Sequence, residues 1–471
     1  MLAIPRPRRS TRGGSGRDGE RSRAGQVGGS PGAGSPGSSV PPRGAIRRIL
    51  LDVAPLRLDR DYRWLWAGQA ISGVGNQVTR LALPSQVYVI SGSTLAIAAL
   101  TFFQLIPILL FSLGAGSVAD AVDRRRLLIL TQIGLMVCSA LLLALALMPA
   151  PPLIALFIVA FLAAGLGSID QPARASAVPR LVPPERLPAA IALGQLNFQI
   201  ASVVGPAIAG IVIATIGLPA AYGLDIATFA TSFIGLIAIA PLPPHATAAR
   251  PGLAAVREGL RFALSRRVIL STFVIDLDAM IFGMPTSLFP VLALDVFRAG
   301  PTGLGFLGAA PAVGALLGAL LSGWVSSVRR VGQAVIVAVA VWGIAIILFG
   351  LSTFSFALAL VFLAVAGAAD VVSAVFRSTI VQLAAPDELR GRISSIHILV
   401  VSSGPRLGDI EAAAAAAVIG AQASVISGGI LCVLGVAVVA RMFPELGRHV
   451  HEPAGSEPMT PAGGRVEPGE T

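Results

Sequence analysis

Apolar stretches recur along the chain between residues 62 and 443, separated by short polar segments. Each stretch holds about twenty residues, the length that an α-helix needs to cross a bilayer. Helices are favoured over strands because a helix satisfies its own backbone hydrogen bonds inside lipid. Glycine, serine and proline mark most of the junctions. We place twelve stretches, at 62–90, 95–118, 127–148, 153–176, 189–215, 219–241, 268–294, 303–325, 331–351, 354–378, 393–419 and 423–443.

The first six stretches resemble the last six in sequence. Residues 174–185 match 377–388 with the same internal spacing, and 205–208 parallel 404–407. Internal repeats of this kind occur in many secondary transporters, where the substrate path lies between the two repeats. We therefore predict an all-α membrane protein with about twelve transmembrane helices in two pseudo-symmetric six-helix bundles.

The segments outside the bundles are polar or rich in glycine and proline. In the central linker, Leu253, Val256, Leu260 and Leu264 fall on one helical stripe, which predicts a short amphipathic helix on the inner leaflet. The Gly/Pro-rich ends cannot build a core and predict disorder. The predicted parts are a tail at 1–60, an N-terminal half at 61–242, a cytoplasmic linker at 243–267, a C-terminal half at 268–444 and a second tail at 445–471.

Charge is sparse and unevenly distributed. Only 13% of the residues are charged and 55% are hydrophobic, about half the charged share of a soluble protein. Much of the net charge of +11 comes from residues 1–60, which hold twelve arginines against four acidic residues. No aromatic residue accompanies these arginines, so we expect proximity to an anionic inner leaflet and no nucleic-acid binding.

Arginine also predicts the orientation. If the N-terminus is inside the cell, the cytoplasmic loops and helix ends hold sixteen arginines, whereas the outer loops hold only Arg298. The positive-inside rule then places both termini in the cytoplasm of a multi-pass protein of the cell (inner) membrane. The cytoplasmic set is Arg124, Arg125, Arg126, Arg174, Arg180, Arg186, Arg250, Arg257, Arg261, Arg266, Arg267, Arg329, Arg330, Arg377, Arg390 and Arg392.

Ionisable residues inside the apolar stretches are the candidates for chemistry, because each is costly to bury without a partner. Asp276 and Asp278 stand in the middle of the seventh stretch, about 200° apart around a helix. Arg406 and Asp409 share a face of the eleventh stretch, and Glu411 points elsewhere. A carboxylate in this position can take up and release a proton, as proton-coupled antiport requires. Asp276 or Asp278 is the first choice for that role and Asp409 the second.

Other ionisable residues admit a structural explanation. Arg80, late in the first stretch, and Asp225, early in the sixth, both fall in the outer part of the bilayer and could pair. Asp170 and Arg174, four residues apart, predict a structural ion pair. The same explanation, neutralisation in structural pairs, is the alternative for all the buried acids. His397 is a candidate proton sensor.

The loop between the second and third stretches contains a glycine, an acid four residues later and a basic cluster. These residues are Gly116, Asp120, Asp123, Arg124 and Arg125. The loop resembles the signature loop of the major facilitator superfamily, which implies a gating latch between the halves. Ala121 and Asp123 depart from that pattern by replacing its usual basic residue and glycine.

The fifth stretch contains Gly205, Pro206 and Gly210, which resemble the antiporter motif of the same superfamily. Residues 275–290, 305–311, 386–393 and 404–409 are similar to its enterobactin-exporter-like members. The resemblance implies proton-coupled export of a siderophore or drug-like molecule by alternating access.

The expected partners are a small-molecule substrate, protons and the lipid bilayer, and we expect a monomer. We expect no cofactor, with the proton gradient as energy source, and no metal, because no ligand spacing is visible. The alternatives are an importer of a small metabolite or a non-transporting membrane receptor on the same fold. An enzyme is disfavoured because His245, His449 and His451 lie in a loop and a tail, and no nucleophile motif is present.

Overall fold

A computed structural model describes residues 52–121, 123–243, 260–321, 328–384 and 387–448. Within these ranges the side chains of 112–121, 383, 387–392, 394, 395 and 398 are not described. The described parts of the two predicted tails, 52–60 and 445–448, contain short helices at Ala54–Leu58 and Pro444–Arg448, so the predicted disorder is wrong for these pieces. Leu446 there is 0% exposed, and burial of an apolar side chain gives the segment a reason to fold. The rest of both tails, most of the predicted linker helix, the side chain of Asp120 and the surroundings of Gly116 lie outside the described residues. Residues 260–265, the end of the predicted linker helix, are helical, and Leu260 and Leu264 are exposed there.

Twelve long helices run through the described residues, which contain no strand. They are α1 (Arg60–Ser91), α2 (Thr94–Ala121), α3 (Arg124–Ala146), α4 (Leu153–Leu181), α5 (Leu187–Thr215), α6 (Leu218–Ile237), α7 (Arg267–Phe282), α8 (Gly300–Leu320), α9 (Val331–Leu351), α10 (Phe356–Ala384), α11 (Asp387–Ile419) and α12 (Ala421–Met442).

Ten segments of the described chain are long and apolar enough to cross a membrane, one of them extending α7 to Val296. Helices α1 and α11 are not among the ten, and they carry Arg80, Arg406, Asp409 and Glu411. Ionisable residues within a membrane helix usually face the interior of the bundle, so we expect α1 and α11 to face a polar space inside the protein rather than lipid.

The seventh stretch is broken, whereas the sequence pattern predicted one continuous helix over 268–294. Helix α7 ends at Phe282, and the chain resumes through single turns at Thr286–Leu288 and Phe289–Val291 and a π-helical turn at Leu292–Val296. Pro285 and Pro290 explain the break, because proline lacks the backbone N–H and disfavours helix in the residue before it. Trp342 Nε1 donates to the freed carbonyl oxygen of Gly283 over 2.7 Å.

Most helix contacts fall within two sets, α1–α6 and α7–α12. The first set contains the pairs α1–α6, α2–α4, α3–α4 and α3–α6, and the second contains α9–α10, α8–α10, α9–α12 and α7–α11. The two sets meet mainly through α5–α8 and α2–α11. The predicted boundaries of the halves, at 242 and 268, flank the undescribed residues 244–259 and stay a prediction.

One apolar core extends through both sets of helices. Its fully buried side chains include Leu156 and Tyr222 in the first set, and Trp342, Phe349 and Phe376 in the second. Many other large apolar side chains, such as Leu130, Ile234 and Val337, point outward with more than half of their surface exposed. That outer apolar surface is what a lipid-facing helix bundle requires.

Candidate functional site

A cluster of charged side chains lies where the two sets of helices meet. Nη1 of Arg406 on α11 donates a hydrogen bond to Oε1 of Gln104 on α2, over 2.5 Å. Arg406 is half-buried, and it interacts electrostatically with Arg80 of α1 and with Asp409 on its own helix. Arg80 is exposed, and it interacts with Asp409 and Arg406 of the other set. An exposed arginine within a membrane-spanning helix requires a polar environment. The cluster therefore faces a water-accessible space between the two sets.

Asp409 holds the break in the seventh stretch in place. Its Oδ1 accepts hydrogen bonds from Thr286 Oγ1 over 2.6 Å and from the backbone N–H of Ser287 over 2.8 Å. A carboxylate at the start of a helical turn satisfies an N–H group that has no partner within the helix. Asp409 is 8% exposed. It thus has a structural task in addition to balancing the two arginines.

The expected pair between Arg80 and Asp225 does not form, which corrects the sequence-based expectation. Asp225 Oδ2 instead accepts hydrogen bonds from Thr79 Oγ1 and Ser139 Oγ, each over 2.7 Å. Thr79 is the neighbour of Arg80, and one residue along a helix turns the side chain by about 100°. Thr79 therefore faces Asp225 inside the first set, while Arg80 faces the second set.

Asp225 is a buried acid with hydroxyl partners only. It is 1% exposed, its Oδ1 has no hydrogen-bond partner, and no arginine of the described residues pairs with it. Gly75 of α1 leaves room for it, since a Cβ there would lie 2.6 Å from Asp225 Oδ1. An isolated carboxylate is costly inside an apolar bundle, so this acid is suited to carrying a proton.

Asp276 lies in an ion-pair cluster deep in the second set. Nη2 of Arg377 on α10 is 2.8 Å from Asp276 Oδ1 and 3.7 Å from Asp370 Oδ1. The Arg377 N–H groups are not aligned with the Asp276 oxygens, so the contact is an ion pair rather than a well-formed hydrogen bond. Nη1 of Arg377 donates to Ser373 Oγ over 2.8 Å. One cation thus serves two acids.

The first set contains an equivalent arginine cluster, but there the acidic partner lies on the same helix as the arginine. Arg174 of α4 binds Asp170 on its own helix and donates to Gln132 Oε1 over 2.6 Å. Arg377 holds the position of Arg174 in the sequence repeat, and Ser373 holds that of Asp170. The predicted stretches 153–176 and 354–378 placed both arginines at the end of a helix. They lie inside their helices instead, because α4 continues to Leu181 and α10 continues to Ala384.

Asp278 and Glu411 have no ionic partner among the described residues. Asp278 lies against α12, where a Cβ on Gly435 would come within 1.9 Å of its Oδ1, and its Oδ2 is buried without a hydrogen-bond partner. Asp276 faces α10 and Asp278 faces α12, as their separation around the helix predicts. Glu411 is half-buried. Asp278 is accordingly a second candidate for proton binding in α7.

His397 of α11 stands beside the Asp276 cluster. Its ring stacks on Phe273 with centroids 5.9 Å apart, and its Nδ1 has no hydrogen-bond partner. It interacts electrostatically with Asp276 and Arg377. Its predicted proton-sensing role therefore has suitable neighbours but stays a prediction.

The described part of the predicted gating loop is held within the first set. Asp123 caps α3 by accepting a hydrogen bond from the N–H of Arg126 over 3.1 Å. Arg125 donates to the carbonyl oxygens of Leu236 and Ile237 at the end of α6, over 3.2 and 2.7 Å. Arginine at a helix C-terminus binds carbonyl groups that have no partner within the helix. Asp123 thus has a local structural role as the N-cap of α3.

Arg124 adds a second anchor to this loop. It is 4% exposed, and its Nε donates to Ser176 Oγ on α4 over 3.3 Å. Its backbone N–H donates to Leu242 O over 3.1 Å. The loop is thus tied to the ends of α4 and α6, and the latch between the halves stays a prediction.

The glycines of the fifth-helix motif permit two close helix contacts. A Cβ on Gly205 would lie 2.4 Å from Gln77 Cβ on α1, inside the first set. A Cβ on Gly210 would lie 2.8 Å from Gly305 Cα on α8, in the other set. Pro206 also packs on α8, where a Cβ on Gly308 would be 2.9 Å from Pro206 Cβ. The motif is therefore part of the junction between the sets.

Gly210→Ala is expected to destabilise this junction, because the new methyl group overlaps the α8 backbone. Gly194→Ala on the same helix is the matched control, since its Cβ meets nothing within 4 Å. Thermal unfolding of the purified protein in detergent measures the difference. Equal melting temperatures for the two variants would show that the close contact does not matter for stability.

Three residues of these clusters escaped the sequence analysis. Asp370 stands seven residues before Arg377, a spacing that places both on one helix face, and this signal was available. Gln104 and Thr286 gave no such signal, because neutral polar residues are frequent in these helices. Among the described residues, no group of three or more His, Cys, Asp or Glu side chains could hold a metal ion.

Two sets of helices, joined through α2–α11 and α5–α8 around buried charges, define the class of the major facilitator transporters. The chain belongs to the transmembrane secretion effector family, whose model matches residues 51–459. The family and the relatives described next are transporters, not enzymes.

Curated relatives include exporters. The enterobactin exporter EntS of Shigella boydii serotype 18 is 27% identical over 366 residues, covering 76% of this chain and 86% of the relative. The enterobactin exporter EntS of Escherichia coli O1:K1 / APEC has the same identity and coverage. The chain is similar to these proteins along most of its helical region, so it is a multi-pass membrane transporter.

Solved structures share this fold. A bacterial homologue of the human lysosomal transporter Spinster, inward-facing and unoccupied, superposes with a TM-score of 0.66 at 15% identity, covering 83% of this chain and 99% of that one. A bacterial homologue of the iron transporter ferroportin, inward-facing, gives 0.62 at 16% identity, with coverage of 83% and 99%. At these identities the likeness concerns the fold alone.

Proposed function

We propose that this protein is a secondary active exporter that crosses the inner membrane twelve times, with both termini in the cytoplasm. It moves a small organic molecule, a siderophore or drug-like compound, outward by alternating access. The observation that carries the proposal is the set of ionisable side chains inside an otherwise apolar helix bundle, since such residues mark transport pathways. The exporter names of the similar proteins support the outward direction.

The proton gradient supplies the energy in this proposal, without a cofactor and in a monomer. The Asp276–Arg377–Asp370 cluster is the proposed coupling centre, because Arg377 can balance only one of its two acids at a time. Asp276 is 0% exposed, whereas the Asp370 side chain is 34% exposed and reachable by water. Proton uptake by one acid frees Arg377 for the other. That exchange links proton binding to a movement of α10 relative to α7.

Contacts at one end of the helices support an inward-open state. Tyr88 in the last turn of α1 donates a hydrogen bond from its hydroxyl to Asp295 Oδ2, beyond the break in the seventh stretch. The Gly210–Gly305 contact lies toward the same end, by position along α5 and α8. With cytoplasmic termini, this end is the outer one. We infer that the outer side is closed and the cavity opens toward the cytoplasm.

Tyr88→Phe is expected to shift the protein toward an outward-open state, because it removes the hydrogen bond that joins the outer ends of the two sets. Spin labels at Leu95→Cys and Phe354→Cys, positions that are 59% and 80% exposed, report the outer distance. The native Cys138 and Cys432 are buried and will label poorly. Tyr62→Phe, which removes a hydrogen bond to Ala190 within the first set, is the control. An unchanged distance distribution in Tyr88→Phe would remove this gate from the account.

The test of export compares cells with and without the protein, under iron starvation first and then with a panel of drugs. Compounds that accumulate inside only when the protein is absent are its substrates. Their efflux from cells should collapse when an uncoupler dissipates the proton gradient. Efflux that persists on ATP alone argues against secondary antiport, and uptake in place of efflux favours the importer.

A further inference from the structure

At the junction between the two sets of helices, the arginines outnumber the acidic residues that could balance their charge. Elsewhere in the described helices, Arg174 and Arg377 each have an acid within ion-pair distance. Arg80 and Arg406 have none within that distance among the described residues, and they share the electrostatic influence of Asp409. Asp409 Oδ1 is already occupied by its hydrogen bonds from Thr286 and Ser287. Two cations thus face one acid.

Both arginines have guanidinium N–H groups that can donate further hydrogen bonds. A guanidinium has about five N–H donors. Among the described residues, Arg80 makes one hydrogen bond, to Gln77 Oε1 over 3.5 Å, and Arg406 makes one, to Gln104 Oε1. Both acceptors are neutral amides, which hold the side chains in position without cancelling their charge. Arg80 is exposed and Arg406 is half-buried, so a ligand in the space between the sets can reach them.

The neighbours of these arginines are held in place from several helices. Gln77 donates from Nε2 to Ser202 Oγ over 2.8 Å, and Gly205 permits the close approach of α5 to α1 at this point. Gln104 brings α2 to Arg406 on α11. A guanidinium held in this way is suited to binding the two oxygens of a carboxylate, sulfonate or phosphate group.

We propose that Arg80 and Arg406 form the subsite for an acidic group of the transported compound, so that the substrate is an organic anion. This proposal rests on the transport function proposed above and adds the charge class of the substrate. Arg80 belongs to the first set and Arg406 to the second. An anion that binds both therefore bridges the halves, and its affinity changes when alternating access moves them apart.

The test uses two probes of the same shape, naphthalene-2-sulfonate and its neutral sulfonamide, with the purified full-length protein in detergent. Binding is measured by isothermal titration and by the rise in melting temperature. The sulfonate should bind the wild type at least about tenfold more tightly than the sulfonamide, the difference expected from one charge-assisted hydrogen bond. Arg80→Gln and Arg406→Gln should each abolish that preference.

Two further variants distinguish a specific loss of binding from a general loss of the folded state. Arg80→Lys retains the charge and should keep most of the preference for the sulfonate. Arg441→Gln, which changes an exposed arginine at the end of α12, should leave it intact. Equal affinity for the two probes in the wild type, or an unchanged preference in both Arg→Gln variants of the site, would overturn the subsite.

Transport of the same probes from proteoliposomes, together with a naphthyl trimethylammonium cation, separates this proposal from the wider one. Gradient-driven transport of the cation or the neutral probe in preference to the sulfonate leaves the exporter standing and rejects the anion subsite. Sulfonate binding without gradient-driven transport of any substrate, including those found in cells, supports an anion-binding site at Arg80 and Arg406 but rejects the exporter, and with it the assignment of that site to a transported compound.

Discussion

Arg377→Met is expected to destabilise the protein by about 3–5 kcal/mol, the usual cost of removing one partner of a buried ion pair. Asp276 is 0% exposed and would lose the cation that lies 2.8 Å away. Asp370 suffers less because its side chain is 34% exposed and water can solvate it. Denaturation of the purified protein in detergent or mixed micelles measures the loss.

The double variant Arg377→Met/Asp276→Leu is to be compared with the single variant Arg377→Met. Replacing both members of a buried pair by apolar residues is often neutral, so the double variant should recover most of the stability. Arg441→Met, at an exposed position, gives the baseline for losing an arginine. If Arg377→Met is as stable as Arg441→Met, the Asp276–Arg377 contact contributes nothing and the proposed coupling centre loses its physical basis.

Asp276→Asn is expected to abolish proton-coupled transport while the protein still folds and binds substrate. The amide cannot take up a proton, and Arg377 keeps Asp370 as a partner. The rate with an imposed proton gradient should fall to the rate without one. Flux assays in proteoliposomes, with the substrate identified from cells, measure both rates.

Asp170→Asn is the matched control for that variant, because Asp170 is the acid that pairs with Arg174, and Arg174 holds the position of Arg377 in the first half of the repeat. It should lower stability and leave the coupling intact. If both variants lose coupling equally, the two ion pairs share the role. If neither does, Asp278→Asn and Asp225→Asn become the next variants to test, since both acids lack an arginine partner among the described residues.

Most of the helices could be predicted from the apolar pattern alone. The predicted stretch 331–351 coincides with α9, and the start of α4 was placed correctly at 153. Hydrophobic length is a direct physical requirement of the bilayer, so it leaves a strong signal in the sequence. The break after Phe282 was missed although Pro285 was visible, because prolines elsewhere in these helices, such as Pro107, leave them continuous.

The partners of the buried charges were harder to predict than their positions. Arg80 and Asp225 were placed at a similar depth, but depth does not fix the direction of a side chain around its helix. Asp276 was recognised as buried, yet its partner lies on α10, a hundred residues later. Side-chain pairing between helices depends on which helices pack together, and the sequence pattern alone does not give this.

The sequence repeat sharpens the contrast between the two sets of helices. Aligning 205–210 with 404–409 sets Ala207 and Gly210 of α5 against Arg406 and Asp409 of α11. The first set uses this segment for close packing on α8, and the second uses it to place charge between the halves. In the second set, Arg377 of α10 pairs with Asp276 of α7 as well as with Asp370 of its own helix. The proposed coupling centre thus lies in the second set, whereas the proposed anion subsite takes one arginine from each set.

The measurement that tests proton-coupled export most directly is the pH inside proteoliposomes with an acidic lumen, recorded while the identified substrate is added outside. The account predicts that substrate entry dissipates the pH gradient in the wild type and in Asp170→Asn, but not in Asp276→Asn. Substrate movement with an unchanged lumen pH in the wild type, or equal proton flux in Asp276→Asn, would contradict it.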